Sequence, residues 1–413
     1  MNALRRGPLR GLLITAALAL GCSKTDAPSP SEGAGGQAAA GAGGSGALSG
    51  SGGLGAGGSA GGSGGTGASS GGLAGGGAAG ASNTGGTGGT GIAGSSGSGG
   101  APPTSDTFYV SGRDLYDRCG EKVILRGVNE MIVWSDGKDG SPEFAEIAKT
   151  GANAVRIVWN EEGSAAELDT AIQNAVAQKL IPMVEHHGAT GDLTKVPAVV
   201  DYWTQTDVVA VLEKHSPYLL LNIANEAGES GTQPQAFAST YQTAITRIRE
   251  TGVTVPLVID APGWGQDIDV LQAAGPGLIE HDPEKNLLFS VHMWWNDAAG
   301  TRVTSELNES VQMGLPLIVG EFAQHAVSGC NQNPFAYGVL LTEAQKHGVG
   351  WLAWSWGSVA NSDCASQGSF DMTVGGVFGD WEEDWGEEVA LTHAASIQKT
   401  SVRPQSMVTG SCQ

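Results

Sequence analysis

The stretch PLIVGEF, residues 316–322, is an apolar run that ends in a carboxylate and an aromatic residue. Its four apolar residues in a row are typical of a strand that is buried on both faces. A charged side chain at the end of such a strand is costly unless it is paired. We therefore expect Glu321 to have a partner and a chemical use.

Seven similar runs occur along the chain, and segments with helical character lie between them. One of these segments, residues 164–179, has apolar residues at spacings of three and four, which is typical of an amphipathic helix. Eight alternations of strand and helix in about 300 residues predict a (β/α)8 TIM barrel. The alternative is a doubly wound open sheet, but eight units without a glycine-rich phosphate loop favour closure. The other predicted strands are residues 123–130, 154–159, 181–187, 219–226, 256–263, 288–295 and 350–356.

The N-terminal end has the composition of an export signal. Three arginines precede a short apolar core and Cys22, which predicts a signal peptide over residues 1–22. The stretch ALGC, residues 19–22, resembles a bacterial lipobox, so we expect a lipid anchor on Cys22 and a location at the outer membrane or cell surface. The alternative is a secreted protein without the anchor.

A long segment with almost no large apolar side chains follows the signal. Between Gly33 and Ser105 there is no charged residue, and the segment consists mainly of glycine, serine, alanine and threonine. Such a composition cannot bury enough surface to offset its conformational entropy, so we predict a disordered linker over residues 23–105. The remaining residues, 106–413, are long enough for one large domain, which is predicted to be the catalytic barrel.

The charge of the chain limits its partners. The net charge is −21, and the first 105 residues carry +2, which leaves about −23 for the rest. Phosphate contacts need lysine and arginine, so this balance argues against nucleic acid as a partner. A neutral substrate fits better.

Four cysteines follow Cys22, and their even number in an exported domain predicts two disulfides with three possible pairings. No CxxC pair or Cys/His cluster at metal spacing occurs, so neither a metal nor a cofactor is expected. Cys119 lies in a predicted hairpin before the first strand, and Cys412 follows the last helix, so both belong to the N-terminal face of the barrel. Cys330 and Cys364 follow the seventh and eighth strands. These positions favour the pairs Cys119–Cys412 and Cys330–Cys364.

Two carboxylates, Glu226 and Glu321, end the fourth and seventh strands, where barrels carry their chemistry. Two carboxylates about 5 to 5.5 Å apart can hydrolyse a glycosidic bond with retention, one as the acid and one as the nucleophile. Tryptophans at the same end suit a sugar, whose apolar faces stack on indole rings. Further polar or aromatic residues near strand ends are Asn129, Glu130, Trp134, Trp159, His186, Asp260, Trp264, Trp295 and Trp356.

Five strings of the sequence lie at predicted strands: LNIANE (221–226), IVGEF (318–322), AVRIVW (154–159), FSVHMW (289–294) and GVGWLAWSW (348–356). Together they resemble glycoside hydrolase family 5, and within it the bacterial β-mannanases. The resemblance runs from about Phe108 to Trp356. It implies that Glu226 is the acid/base and Glu321 the nucleophile. It also implies that Arg156 keeps Glu321 ionised through a charge-assisted hydrogen bond.

The same resemblance assigns further residues to the substrate. Asn225 would bind the sugar 2-hydroxyl, and Trp354 would lie under the sugar at the cleaved bond. His187 and His292 match the histidines of the third and sixth strands. Trp294 is a departure, because the family usually has a tyrosine there whose hydroxyl bonds the nucleophile; an indole N–H can also donate.

We therefore expect an exported, membrane-tethered, monomeric endo-β-1,4-glycanase that retains configuration and acts on a polysaccharide. Mannan is the expected substrate. Cellulose or mixed-linkage β-glucan is the alternative, because mannose and glucose differ only at the 2-hydroxyl. A rival of another class is a glycan-binding lipoprotein without activity, which would not need both carboxylates.

Overall fold

The computed structural model describes residues 105–328, 331–359 and 370–412, all of them within the unit Gly91–Gln413. The predicted signal peptide with Cys22, nearly all of the predicted linker and the predicted Cys330–Cys364 disulfide lie outside the described residues. In the described part of the chain, no helix is both long enough and apolar enough to cross a membrane.

A small antiparallel sheet precedes the barrel. It consists of β1 (Tyr109–Ser111), β2 (Asp114–Tyr116) and β3 (Lys122–Val123), so the predicted hairpin has a third short strand. Its apolar side chains, Leu115 among them, pack against the residues that fill the barrel at its N-terminal end. A disulfide joins Cys119 to Cys412, the pairing expected from the sequence, and so ties this sheet to the C-terminal tail.

Eight parallel strands form a closed barrel, in which strands that follow one another along the chain are also neighbours in space. The predicted (β/α)8 fold is therefore confirmed. An antiparallel hairpin interrupts the series before the eighth barrel strand. The strands are β4 (Arg126–Glu130), β5 (Ala154–Trp159), β6 (Ile181–His186), β7 (Leu220–Asn222), β8 (Leu257–Asp260), β9 (Leu287–His292), β10 (Leu317–Glu321), the hairpin strands β11 (His325–Ser328) and β12 (Asn331–Pro334), and the last barrel strand β13 (Gly350–Ala353).

Helices follow the barrel strands and bury their apolar faces against them. The helix after β5 begins at a capping box, in which Ser164 and Glu167 satisfy each other's backbone N–H groups. The helices are α1 (Glu143–Ala148), α2 (Ala165–Ala177), α3 (Val196–Trp203), α4 (Thr206–Lys214), α5 (Pro234–Arg249), α6 (Ile268–His281), α7 (Thr301–Gln312), α8 (Tyr337–His347), α9 (Asp384–Glu387), α10 (Ile397–Thr400) and α11 (Gln405–Thr409).

The inside of the barrel is apolar at its N-terminal end and polar at its C-terminal end. Side chains alternate along a strand with a period of two, so each inward apolar residue is followed two positions later by another inward residue. On four barrel strands that second residue has an ionisable or amide side chain. The apolar residues are Ala154, Met183, Leu220 and Val258, and their polar successors are Arg156, Glu185, Asn222 and Asp260, all fully buried. The polar set therefore meets at one end of the barrel.

Candidate active site

Glu226 and Glu321 meet at one histidine. His292 Nδ1 lies 2.7 Å from Glu226 Oε1 and 3.3 Å from Glu321 Oε2. One ligand atom from each of the three residues lies within 4.8 Å of the other two. All three side chains are buried. One oxygen of Glu226 and one of Glu321 are therefore no more than 4.8 Å apart. This proximity is consistent with a retaining pair, whose carboxyl groups are about 5 to 5.5 Å apart.

The position of Glu321 depends on an irregularity in β10. Strict alternation would send Gly320 and Glu321 to opposite faces of the strand. The pairing of β10 with β9 shifts register between Val319 and Glu321, and such shifts re-aim side chains. Gly320 allows the close approach, because a Cβ there would lie 2.2 Å from Ser290 Oγ. The glycine in PLIVGEF therefore makes room at the site.

Glu226 lies in an unusual backbone conformation. The strand β7 ends at Asn222, earlier than the sequence predicts, and Glu226 has φ +47°. A left-handed conformation at a residue other than glycine costs about 1 to 3 kcal/mol. The surroundings hold it, since the Glu226 N–H donates to Asp260 Oδ2 at 3.2 Å and its carbonyl accepts from Gly191. Strain of this kind is typical of functional sites.

Arg156 is the centre of the buried polar network. It is fully buried and donates to Glu321 Oε1 at 2.8 Å and to Asp260 Oδ2 at 3.1 Å. Glu185 Oε1 lies 3.8 Å from its Nη1. Its other hydrogen bonds are to the side-chain oxygens of Asn129, Asn222 and Asn225. One guanidinium thus faces three carboxylates, and its position is fixed by three amides.

The two carboxylates at His292 have opposite pKa shifts. Burial raises the pKa of Glu321, but the charges of His292 and Arg156 outweigh burial and hold that pKa below its usual value. Burial, and then the charge of Glu321, raise the pKa of Glu226 above its usual value. One carboxyl therefore favours the ionised form and its neighbour favours the protonated form. This is the division of labour that an acid and a nucleophile require.

The charges around His292 favour its protonated form. Burial lowers its pKa, but the charges of Glu321 and Asp260 outweigh burial and raise the pKa well above the usual value. Glu226, His292 and Glu321 are also the described residues whose donor atoms lie close enough together to hold a metal ion.

Two tryptophans expected at the site lie beside these groups. The indole N–H of Trp294 donates to Glu321 Oε2 at 3.2 Å, so a donor does reach the carboxylate where relatives are expected to have a tyrosine. Trp354 follows β13 and is 8% exposed. Its ring stacks near that of His187, with centroids 6.2 Å apart and planes at 21°.

Asn225 is more constrained than the sequence predicts. Its Oδ1 accepts from Arg156 Nη2 at 2.7 Å, and its Nδ2 donates to Thr190 Oγ1 at 2.9 Å. The amide nitrogen carries two hydrogens, so one of them remains for a sugar hydroxyl. Thr190 thus orients the amide, a role that no motif in the sequence indicates.

The remaining strand-end residues divide into buried and exposed sets. His186 points out of the barrel and packs against Tyr202 and Trp203 of α3, because alternation places it opposite Glu185. Trp134 and Trp264 are more than two fifths exposed and lie at the rim. Three other tryptophans are buried and donate their indole N–H groups to neighbours: Trp159 to Tyr202, Trp295 to Gln266 and Trp356 to Gly376.

Glu130 is buried at the end of β4 and ties two loops together. It accepts hydrogen bonds from the Met131 N–H and the Ser358 hydroxyl. Burial raises its pKa to about 7. It makes no contact with Arg156 or His292 within the described residues, so its role is in the loops and not in the carboxylate pair.

Sequence reasoning missed two residues of the network, Glu185 and Asn222. Each is a single polar residue inside an otherwise apolar strand, in IPMVEHH and LLLNIANE. A buried polar group is costly unless it is hydrogen-bonded. That cost is the signal that could have identified them.

Comparison with known proteins gives one consistent result. A model of the family Cellulase (glycosyl hydrolase family 5) matches residues 116–359. A mannan endo-1,4-beta-mannosidase of Cellvibrio japonicus (strain Ueda107) is 33% identical over 267 residues, which is 62% of this chain and 60% of that relative. One of Salipaludibacillus agaradhaerens is 31% identical over 315 residues, 73% of this chain and 96% of the relative. The beta-mannanase of Streptomyces thermolilacinus with mannohexaose has a similar structure, with a TM-score of 0.65, 28% identity, and coverage of 73% of this chain and 98% of that one.

Proposed function

This chain belongs to the cellulase family, glycosyl hydrolase family 5, and from that premise we propose that it is a retaining endo-β-1,4-mannanase. The observation that carries the proposal is the buried pair of Glu226 and Glu321, which share His292 and have opposite pKa shifts. The mannan endo-1,4-beta-mannosidases among its relatives support mannan as the substrate.

The proposed reaction has two displacements at the anomeric carbon. In the first, Glu226 gives its proton to the glycosidic oxygen while the Glu321 carboxylate attacks the carbon, and the leaving chain departs. In the second, Glu226, now ionised, takes a proton from water as that water attacks the carbon and releases Glu321. Two inversions give net retention. His292 remains charged throughout and faces whichever carboxylate is ionised.

Hydrolysis of a panel of polysaccharides tests the proposed function. The purified protein is given galactomannan, glucomannan, carboxymethylcellulose, barley β-glucan and xylan, and released oligosaccharides are measured. We expect both mannans to be cleaved internally, with an early mixture of chain lengths. Cleavage of the glucans alone would favour the endoglucanase alternative. Cleavage of none would contradict the assignment as an enzyme and favour a glycan-binding protein.

We also propose that the enzyme is exported as a monomer and held at the membrane through a lipid on Cys22. The support is the composition of residues 1–22 and the lipobox-like sequence 19–22. Replacing Cys22 with serine should move mannanase activity from the membrane fraction to the soluble fraction. Unchanged distribution would contradict the anchor.

Arg156→Lys is expected to shift the acidic limb of the pH profile of kcat/KM to higher pH. Glu321 must be ionised to attack, so activity falls as the pH decreases through its pKa. Lysine cannot reproduce the forked contacts of arginine, so the pKa of Glu321 should rise. Arg126→Lys is the matched control, because Arg126 is equally buried but donates to backbone carbonyls and to Gln345 and Thr400. It should leave the limb in place, and an equal shift in both variants would contradict the role of Arg156.

Trp294→Phe is expected to lower kcat by about tenfold, the effect of losing one hydrogen bond to a charged group. Trp294→Tyr should recover part of this loss if the phenol hydroxyl reaches Glu321. Trp295→Phe is the control, because that indole donates to the Gln266 carbonyl instead. Equal losses in Trp294→Phe and Trp295→Phe would show that packing, not the hydrogen bond, matters.

A further inference from the structure

Buried Glu185 and half-buried His187 form a pair that the proposed reaction does not use. Glu185 Oε1 lies 2.9 Å from His187 Nδ1. Glu185 is fully buried, and its Oε2 has no hydrogen-bond partner among the described residues. Arg156 is its other charged neighbour, at 3.8 Å. A buried carboxylate is costly unless it is paired, so the contact with His187 and the ion pair with Arg156 together offset the cost.

The fold places these two residues on opposite sides of a turn. Glu185 is the last inward residue of β6, and the chain leaves the strand at His186. His187 begins a short 3-10 helix and comes back over the barrel mouth. Its side chain is 24% exposed. Glu185 therefore reaches His187 from inside the barrel, while about a quarter of the His187 side chain stays open to solvent.

The ring of His187 lies beside two tryptophans of the site. The edge of Trp134 approaches it at a centroid distance of 5.5 Å, and Trp354 stacks near it at 6.2 Å. Nδ1 is occupied by Glu185, so Nε2 is the nitrogen that can meet a ligand. Trp354 is the residue expected under the sugar, so a sugar at that position would lie beside the ring of His187.

We propose that Glu185 is a positioning residue, which fixes the ring of His187 through Nδ1 so that Nε2–H donates to a hydroxyl of the pyranose on Trp354. The inference rests on the proposed function, since it assumes a β-linked hexose polymer in the site. The protonated ring of His187 would thus make a charge-assisted hydrogen bond to the substrate. Only the doubly protonated ring donates from both nitrogens, so Glu185 acts by keeping the second proton.

The charges around His187 favour that protonated ring. Burial lowers its pKa, but the charge of Glu185 and the hydrogen bond to it outweigh burial and raise the pKa above the usual value. Glu321 on β10 raises it further, and Glu226 also faces this ring. The opposing cation is Arg156 on β5. His186 on β6 also faces the ring, but burial lowers the pKa of His186, so it opposes the His187 charge only when it is itself protonated. Carboxylates thus outweigh cations around the ring, and Glu185 is the one in contact.

Histidine titration by long-range proton–nitrogen NMR tests the proposal on the whole protein. Glu185→Gln is nearly isosteric and removes only the charge. The His187 signals are assigned by their loss in His187→Gln. We expect the midpoint of His187 to lie above its usual value of about 6.5 in the wild type and to fall by at least one pH unit, about tenfold in proton affinity, in Glu185→Gln. Glu130→Gln is the matched control, because Glu130 is also buried at a strand end but contacts no histidine, and it should leave the midpoint unchanged.

Kinetics on mannohexaose provide the second readout. Glu185→Gln should raise KM by about tenfold with a smaller change in kcat, and His187→Gln in the same background should add little. An unchanged His187 midpoint, or an unchanged KM, would overturn the proposal. Wild-type protein that cleaves neither mannan nor glucan would instead contradict the proposed function, whereas the titration would still decide whether Glu185 holds the proton.

Discussion

Glu321→Ala is expected to lower kcat on mannan by about 10,000-fold or more, because removing a nucleophile abolishes the covalent route. The protein should remain folded, since Arg156 keeps Asp260 and Glu185 as partners. The measurement is the initial rate on galactomannan. Glu161→Ala is the control, because Glu161 is an exposed carboxylate near the same end of the barrel, and it should keep full activity.

Azide identifies the role of Glu321 and not only its importance. With an aryl β-mannobioside, azide can enter the space left by the carboxylate and attack the anomeric carbon directly. The expected product is the α-glycosyl azide, formed by one inversion. A β-glycosyl azide from Glu321→Ala would contradict the assignment, because it would mean that another residue forms the intermediate.

Glu226→Ala is expected to lower kcat on mannan by about 100-fold to 10,000-fold, the range for loss of general acid catalysis. A dinitrophenyl β-mannobioside needs no proton to leave, so its first displacement should proceed and release a burst of the phenol. Hydrolysis of the glycosyl-enzyme intermediate is then slow, because no base activates the attacking water. Azide needs no base, so it should attack the intermediate and give the β-glycosyl azide, with net retention.

Two outcomes would oppose the role of Glu226 as the acid/base. Equal loss on mannan and on the dinitrophenyl substrate would mean that Glu226 does not protonate the leaving group. An α-glycosyl azide from Glu226→Ala would exchange the roles of Glu226 and Glu321. The raised pKa of Glu226 and the lowered pKa of Glu321 favour Glu226 as the acid/base and Glu321 as the nucleophile.

The barrel could be predicted from the sequence because its signal is repeated. Each of the eight apolar runs alone could be a strand or part of a buried helix. Few folds other than a (β/α)8 barrel account for their regular alternation with amphipathic segments. The strand ends were less predictable. The apolar run at 219–226 continues past Asn222, where β7 ends. Its end could not be predicted, because the residues after the strand are as apolar as those within it.

The sequence predicts which residues form the site, but it does not predict how they are arranged. Glu226 and Glu321 end apolar runs, and a charge there is conspicuous. The register shift at Gly320 and the positive φ of Glu226 leave no pattern in residue types. Glu185 was overlooked because one acidic residue next to two histidines does not reveal which side of the strand it occupies. That depends on the register of the closed barrel.

The central claim is that Glu226 and Glu321 cleave a β-mannosidic bond by two displacements. The most direct test is the anomeric configuration of the first product from mannohexaose, followed by proton NMR before the sugar mutarotates. We expect the β-anomer of the new reducing end to appear first and then to relax to the equilibrium mixture. Initial release of the α-anomer would mean a single displacement by water, and the roles assigned to both carboxylates would be wrong.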